Sequence, residues 1–409
     1  MFVEAIGVFI ALGVTGCIGA YKSIELIRRL QQDGHEVQTV LTRHGAEFVT
    51  PLVLETISRH PVITDMFQRA GQWEVEHIAL ARRSQVLCVA PATANILAKF
   101  AHGIADDFLT TLYLSNRNPV VIAPAMNTAM WEHPATRRNL DILQERGVTL
   151  VTPGSGYLAC GEEGAGRLAD LEQIAEAIYT VTTPPSLKGR TVLVTAGPTA
   201  EDIDPVRFLS NRSSGRMGFA LARAAARRGA RTLLISGPVP GSPLRAGECR
   251  PVRSADEMAA AVLDWAPQAD VVIMAAAVAD YRPRQTSATK IKKKEGDTVL
   301  ELVRTPDILM QLKSIRRPTQ VVVGFAAETD ELVANARRKM ERKGTDLMVA
   351  NRVGADVGFG DNPTAFTLFR PNAEPRQIEG QSKEAAAAVI LDEVERLLAG
   401  DAAPTPLSE

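Results

Sequence analysis

The sequence predicts an α/β protein built from two doubly wound, Rossmann-like domains. Two observations carry that expectation. Short apolar runs ending in Gly, Pro or Asn turns alternate with stretches of helical periodicity, as parallel strands joined by helices do. The β–α–β opening at Gly7–Leu41 also restarts at Thr191–Ser236, and a proline-containing linker, Thr182–Leu187 (TTPPSL), lies between the two.

A chain of 409 residues has core enough for two or three domains. Its 45% apolar and 23% charged content is that of a soluble globular protein. A formal net charge of −1 offers no global field for nucleic acid or an anionic membrane. The longest apolar run, Val271–Ala279, is too short to span a bilayer. The apolar stretch Val8–Val14 lacks a basic leader, follows Glu4 and runs into a glycine turn. It is expected as a first strand and not a signal peptide. Cys17, Cys88, Cys160 and Cys249 show neither paired nor metal-ligand spacing, which fits a reducing cytosol and leaves each open as a catalytic thiol.

In the first half, Gly7–Leu12 reads as a strand, GVTGCIG as a glycine turn, Ala20–Leu30 as a helix and Glu36–Leu41 as a second strand. The glycines either pack helix on strand or form an anion site at the helix start. Their spacing is not GxGxxG, and the second strand ends in Thr42-Arg43 without the acid that would hold an adenosine ribose. NAD is therefore disfavoured, and the Thr42 hydroxyl suits a phosphate or ribityl chain. Gln85–Ala90 is a third strand, followed by Pro91–Asn95 (PATAN). Val120–Ala123 is the next, stopped by Pro124 ahead of Asn127 and the methionines of PAMNTAMW. Three strand ends thus meet at one carboxyl edge with polar, uncharged side chains, which suits a flat heteroaromatic cofactor with a phosphate tail. His77, near a helix start, serves equally as a capping residue or a base. The glycine-rich stretch 152–167 (TPGSGYLACGEEGAGR) reads as a mobile flap, with Cys160 as either its working thiol or an incidental one.

In the second half, Thr191–Thr195 is a strand, 196–218 a long Gly/Ser/Pro loop, Phe219–Arg228 a helix and Arg231–Ser236 a strand. SNRSSGRMG, Ser210–Gly218, is a phosphate cradle or a serine N-cap with packing glycines; it is not a Walker A motif. Val271–Ala277 is a buried strand that ends near Asp280. Lys290–Lys294 (KIKKK) is either solvated or set to neutralise a triphosphate. TPDI, Thr305–Ile308, caps a helix; Gln320–Gly324 and Leu347–Ala350 are strands. Leu332–Arg342 is a basic helix, with Lys339 and Lys343 at i,i+4 spacing. The residues from Ala365 to Ile378 form a hairpin, and Glu384–Leu398 is the closing helix.

The motifs GVTGCIGAYKS, EHIALA, APATANILAK, GIADDFLTT, PAMNTAMW, ACGEEGAGR, SNRSSGRMG, AAAVADYRP, KIKK and GFAAET, in this order, span about residues 6–398. They resemble the bacterial bifunctional phosphopantothenoylcysteine decarboxylase / phosphopantothenate–cysteine ligase family of coenzyme A biosynthesis. One departure is GCIGA where the family often has GGIAA, a change among small residues.

The resemblance implies a flavoprotein decarboxylase domain over 1–184 and a CTP-dependent ligase domain over 188–400; the Ala/Pro composition of the tail over 401–409 predicts disorder there. It implies FMN held by Gly16, Ile18, Thr42, Thr93 and Asn95. His77 would be the active-site histidine, Asn127 with Met130 would meet the substrate, and Cys160 would donate a proton after carbon dioxide leaves. In the ligase, CTP would touch Met274, Ala275, Ala276, Asp280, Lys290, Pro306, Asp307, Ile308, Leu309, Phe325, Lys339 and Lys343. Asn211 and Arg207 would handle the acyl-cytidylate, and Mg2+ would accompany the triphosphate at Asp280. The substrates implied are 4′-phosphopantothenate, L-cysteine, CTP and 4′-phosphopantothenoylcysteine, with no nucleic acid or membrane partner. A cytoplasmic homo-oligomer is implied, with trimers of the first half and dimers of the second making a dodecamer. The alternatives are a flavin-binding regulatory subunit without turnover and an NAD-dependent reductase. Retention of His77, Asn127 and Cys160 disfavours the first, and the missing fingerprint the second.

Overall fold

The computed structural model describes residues 7–67, 76–158, 161–239, 247–293, 299–328, 331–352 and 364–400. The chain divides into two compact units, Met1–Pro184 and Pro185–Glu409.

The first unit is a doubly wound parallel sheet. Its strands are β1 (Phe9–Val14), β2 (Glu36–Leu41), β3 (Val86–Ala92), β4 (Val120–Pro124) and β5 (Thr149–Leu150), in the order β2-β1-β3-β4-β5. All four pairings are parallel. The strands are near-continuous apolar runs because both faces are covered. Along β1, Ile10 and Leu12 face one core while Phe9 and Ala11 face the other. The first core takes α1 (Lys22–Gln32), α2 (Pro51–Ser58) and α8 (Leu171–Thr182). The second takes α3 (Glu76–Arg83), α4 (Ala94–His102), α5 (Phe108–Ser115) and α7 (Pro134–Glu145), with Trp131 of the short α6 (Thr128–Glu132).

Local chemistry sets the helix starts. Thr50, Thr93 and Asp107 cap α2, α4 and α5 by accepting from a backbone N–H three residues on, and Pro51 opens α2. The helix expected at Ala20–Leu30 begins with a 3-10 turn, Ile18–Tyr21, and continues as α1. The stretch expected as a mobile flap is instead an antiparallel hairpin of β6 (Gly154–Tyr157) and β7 (Glu163–Arg167).

The second unit has an eight-stranded sheet. In chain order its strands are β8 (Thr191–Ala196), β11 (Arg231–Ser236), β12 (Glu248–Pro251), β13 (Val271–Met274), β16 (Val321–Glu328), β17 (Leu347–Arg352), β18 (Thr364–Phe369) and β19 (Arg376–Gln381). Two separate antiparallel ribbons supply the remaining labels, β9 (Ala200–Asp202) with β10 (Phe208–Ser210) and β14 (Tyr281–Pro283) with β15 (Leu302–Arg304). The sheet order is β12-β11-β8-β13-β16-β17-β18-β19, parallel as far as β17 and antiparallel beyond it.

Helices α9 (Arg216–Arg227) and α13 (Lys383–Leu398) cover one face; α10 (Ala255–Trp265) and α11 (Ile308–Ile315) cover the other. Helix α12 (Leu332–Lys343) packs Ala336 and Met340 against β16–β18. The loop expected over 196–218 holds the β9–β10 ribbon, and its last three residues already belong to α9. The strand expected as Gln320–Gly324 runs on through Phe325 to Glu328. The sequence pattern did not show β14 and β15, whose three-residue length leaves no periodicity to read.

At Gly218, where α9 crosses the end of β8, a Cβ would lie 2.6 Å from Ala196 Cβ and 2.8 Å from the Thr195 carbonyl oxygen. Gly218→Val should destabilise the second unit by about 1–3 kcal/mol, the usual range for overpacking. Hydrogen exchange of the full chain, read separately over the two units, should show protection lost in the second alone. Unchanged protection there would mean that the helix can move off the strand without cost.

Candidate active sites

In the first unit the chain leaves β1 for β2 on one side and returns to β3 on the other. This opens a crevice beyond the carboxyl ends of β1 and β3. Buried Thr15, just past β1, closes its floor. Its hydroxyl donates to the Pro91 carbonyl (2.7 Å) and accepts from the Thr93 N–H (3.1 Å), pinning the two strand ends together. Ser23 adds a bond to the Ala90 carbonyl (2.9 Å).

Gly16 is required by close approach, since a Cβ there would lie 2.5 Å from His44 Cβ. Thr42 is committed to its own turn. Its hydroxyl donates to the Val14 carbonyl (3.3 Å) and accepts from the Gly45 N–H (3.1 Å). Ile18 is 59% exposed at this edge; Thr93 caps α4 and Asn95 is exposed in its first turn.

Asn127 caps α6. Its Oδ1 accepts from the Ala129 N–H (2.8 Å), and its Nδ2 donates to Glu162 Oε2 (3.2 Å) on the loop joining β6 to β7. That hairpin docks on the turn after β4. Met126 N–H donates to the Gly166 carbonyl (2.9 Å), and the Thr128 hydroxyl to the Ala165 carbonyl (2.9 Å). Gly166, at φ +128°, would put a Cβ 2.2 Å from the Met126 carbonyl oxygen, and Gly164 would put one 2.4 Å from Thr128 Oγ1. These glycines serve tight docking, which is why a glycine-rich stretch forms regular structure.

Cys160 lies outside the described residues. Among the described residues, burial pushes the Cys17 and Cys249 thiols up, and pushes that of Cys88 up to about 12. None is poised as a thiolate. His77 lies in the first turn of α3, half-buried, with its ring edge-on to Phe108 at 6.3 Å. Met130 is exposed on α6.

In the second unit two adjoining clefts, of about 700 and 660 Å3, open beyond the ends of β8, β13 and β16. Ala276, Val278, Asp280, Phe325 and Lys339 line both. Asn211 and Ala275 line the first; Met274, Lys343 and the run Pro306, Asp307, Ile308 and Leu309 line the second.

Asn211 donates both amide protons, to the Ala277 and Val278 carbonyls (3.1 Å each), which ties β10 to the end of β13. Lys339 Nζ donates to the Phe325 carbonyl (3.0 Å). Lys343, 8% exposed, is ion-paired with Asp307, whose Oδ1 also caps α11 through the Met310 N–H (3.2 Å). Arg207 and Lys290 stand apart from the lining residues: Arg207 is paired with Asp204, and Lys290 is exposed on the segment after β14.

Sequence reasoning passed over Arg216 and Lys383, which line the first cleft, and buried Asp204. For Asp204 a signal existed: Asp-Pro-Val-Arg is turn chemistry, with the aspartate at the position that accepts backbone N–H groups. Gly215, at φ +72°, begins α9 without a side-chain cap, so the serines of SNRSSGRMG do not cap it.

Residues 5–183 match the family described as Flavoprotein, and residues 187–398 the one described as DNA/pantothenate metabolism flavoprotein C-terminal domain. The chain is 44% identical over 393 residues to the coenzyme A biosynthesis bifunctional protein CoaBC of Bacillus subtilis, covering 95% of this chain and 97% of that relative. It is 42% identical over 407 residues to the protein of the same description from Mycobacterium tuberculosis, covering 96% and 97%. A crystal structure of the C-terminal domain of a CoaBC protein is 37% identical, covers 53% of this chain and 100% of that one, and gives a TM-score of 0.46. With both units matched and nearly the whole length shared, the chain belongs to the family of coenzyme A biosynthesis bifunctional proteins, CoaBC.

Proposed function

We propose that the second unit joins L-cysteine to 4′-phosphopantothenate using CTP, through an acyl-cytidylate, and that the first unit converts the resulting 4′-phosphopantothenoylcysteine to 4′-phosphopantetheine with bound FMN. As a member of its family, the chain is a bifunctional enzyme of coenzyme A biosynthesis with a flavoprotein unit. The observation that carries the finer reading is the contrast between the two strand-end sites. The first presents Ile18, Thr93, Asn95 and Asn127 at its strand ends, while the second brings Arg212, Arg216, Lys339 and Lys383 to one cleft with Asp280.

The residues of the first edge fit FMN. Ile18 and Met130 offer exposed apolar surface for a flat ring, and Thr93 and Asn95 offer polar groups beside it. The 3-10 turn Ile18–Tyr21 follows β1 at this edge, and the N–H groups of Gly19 and Ala20 are held at Cys17. Bound flavin supplies a two-electron acceptor and donor, which lets a cysteinyl carboxylate lose carbon dioxide in a redox-neutral cycle.

Asn127 orients the cysteinyl carboxylate and amide of the substrate, with its own rotamer fixed by Ala129 and Glu162. His77 acts in the thiol oxidation at the start, and Cys160 donates a proton to the substrate carbon after carbon dioxide has left. In the ligase, Lys290 and Lys339 face phosphate, and Asn211 holds the acyl-cytidylate. Asp280 is the protein contact for Mg2+. No group of three or more His, Cys, Asp or Glu suited to a metal occurs among the described residues, so the triphosphate supplies the other oxygens. The assembly that fits this reading is a cytoplasmic homo-oligomer, trimeric through the first unit and dimeric through the second. No described helix is long and apolar enough to cross a membrane.

Given 4′-phosphopantothenate, cysteine and CTP, the purified yellow protein should release CMP and pyrophosphate in equal amounts. Release of CDP and phosphate, or a preference for ATP, would refute the ligase reading.

Anaerobic mixing with 4′-phosphopantothenoylcysteine separates the roles in the first unit. His77→Asn should neither bleach the flavin nor release carbon dioxide. Cys160→Ala should do both and then stall, with loss of a general acid costing ~10² to 10⁴ in rate. Formation of 4′-phosphopantetheine by Cys160→Ala at the wild-type rate would remove the thiol from the mechanism.

Gly166→Ala should push the Met126 carbonyl and displace Asn127, lowering decarboxylation at least tenfold while leaving CTP-dependent ligation intact. Equal loss of both activities would point to global misfolding instead.

A further inference from the structure

We propose that Asp204 is a positioning residue for the ligation: with Arg207 it clamps the backbone of Ile291 and so sets where Lys290 stands. The proposal rests on the reading of the second unit as a CTP-dependent ligase and assigns a task to a residue outside its clefts.

Asp204 lies two residues past β9, in a loop at the surface, yet its side chain is wholly buried. A carboxylate offers about four acceptor positions, and these are filled from two directions. Oδ1 accepts from the Val206 and Arg207 N–H groups (2.8 Å each), closing the turn that leads into β10. Oδ2 accepts from Arg207 Nε (3.0 Å) and Nη2 (2.5 Å), and also from the Ile291 N–H (3.1 Å), 87 residues on. Arg207 Nη2 then donates to the Ile291 carbonyl (3.0 Å).

Both backbone polar groups of Ile291 are therefore held by one ion pair. Two further bonds lay the same arm along the ribbon, from the Ser287 N–H to the Ile203 carbonyl (3.0 Å) and from the Thr286 hydroxyl to the Asp202 carbonyl (3.0 Å). The hydrogen bonds from Arg207, helped by the backbone N–H groups, hold the Asp204 carboxyl far below the usual carboxylate range, so the clamp stays ionised through neutral pH.

The clamp fixes backbone and leaves the neighbouring lysines exposed. A lysine run binds anions by charge alone and has no register of its own. Bracketing Ile291 gives it one, since Lys290 then occupies a set place relative to the ribbon. The ribbon in turn is tied through Asn211 to the end of β13, where the clefts open. Arg207 accordingly acts through its bond to the arm.

Asp204→Asn tests this, because the amide oxygen can still accept from Val206 and Arg207 while its NH₂ cannot accept from Arg207 or Ile291. The turn is kept and the clamp is lost. In the full-length protein, release of pyrophosphate from CTP and 4′-phosphopantothenate in a single turnover should fall ~10²-fold, the cost of a misplaced group. The KM for cysteine should stay put although the unfolding midpoint of the second unit falls with loss of the ion pair, and trypsin should cut after Lys290 and Lys292 faster than in the wild type.

A wild-type rate of pyrophosphate release would overturn the proposal, as would a slower rate matched by a raised KM for cysteine and unchanged tryptic cutting after Lys290 and Lys292, the mark of a merely structural role. Should Asp204→Asn fail to fold, Arg207→Lys keeps the charge opposite Asp204 but loses the fork that reaches Ile291; faster tryptic cutting after Lys290 and Lys292 must then accompany the slower rate, and a slower rate with wild-type cutting would overturn the clamp. A wild-type protein that released no pyrophosphate would instead sink the ligase reading, with the tryptic rates still reporting on the clamp.

Discussion

Parallel pairing brings every strand of a doubly wound sheet to an end on the same edge, and there the backbone runs out of ladder partners. The two units meet this constraint with the same device. In the first, buried Thr15 bridges the end of β1 to Pro91 and Thr93 beyond β3. In the second, buried Thr195 at the end of β8 accepts from the Ala276 N–H beyond β13 (3.1 Å), and buried Thr199 accepts from the Ala279 N–H (3.0 Å). Each hydroxyl joins the central strand to the neighbour across which the chain reverses direction. The crevice is thus held open by bonds that lie beneath it, and the side chains above are left for ligand.

One frame then carries two electrostatic characters. Around Thr15 the edge presents Ile18, Thr93 and Asn95, Glu162 is bonded to Asn127, and Lys99 in the last turn of α4 is paired with Asp106 and Asp107. Its hydrogen bond holds the Asp106 carboxyl below the usual carboxylate range. Around Thr195 the edge presents Arg216, Lys339 and Lys383. Burial lowers the Lys383 ammonium, with Glu384 opposing and Arg216 adding to the shift. Neutral surface suits an extended aromatic ring, and clustered cations suit a polyphosphate.

Much of this was legible in the sequence, for reasons that can be traced to particular residues. Glu36–Leu41 and Arg231–Ser236 were expected with the bounds observed, because each is a stretch rich in β-branched and aliphatic residues that follows a glycine. The hairpin at Gly154–Arg167 was misread because glycine content by itself does not distinguish a flexible loop from a strand packed so close to a carbonyl that a Cβ would lie 2.2 Å from it. The Asp204 clamp was hidden for a different reason. Its partner lies 87 residues away, and no local pattern announces a contact of that range.

The three lysines that the sequence groups as phosphate ligands are held in three ways, and the difference assigns them different work. Lys343 is buried and ion-paired with Asp307, which also caps α11. The pair joins α12 to α11 at the wall of the second cleft. Lys339 donates a hydrogen bond to the Phe325 carbonyl at the cleft wall (3.0 Å). Lys290 is exposed, with its backbone positioned by the bonds to Ile291. Its charge can be spent on the ligand alone, and moving it breaks no ion pair of its own.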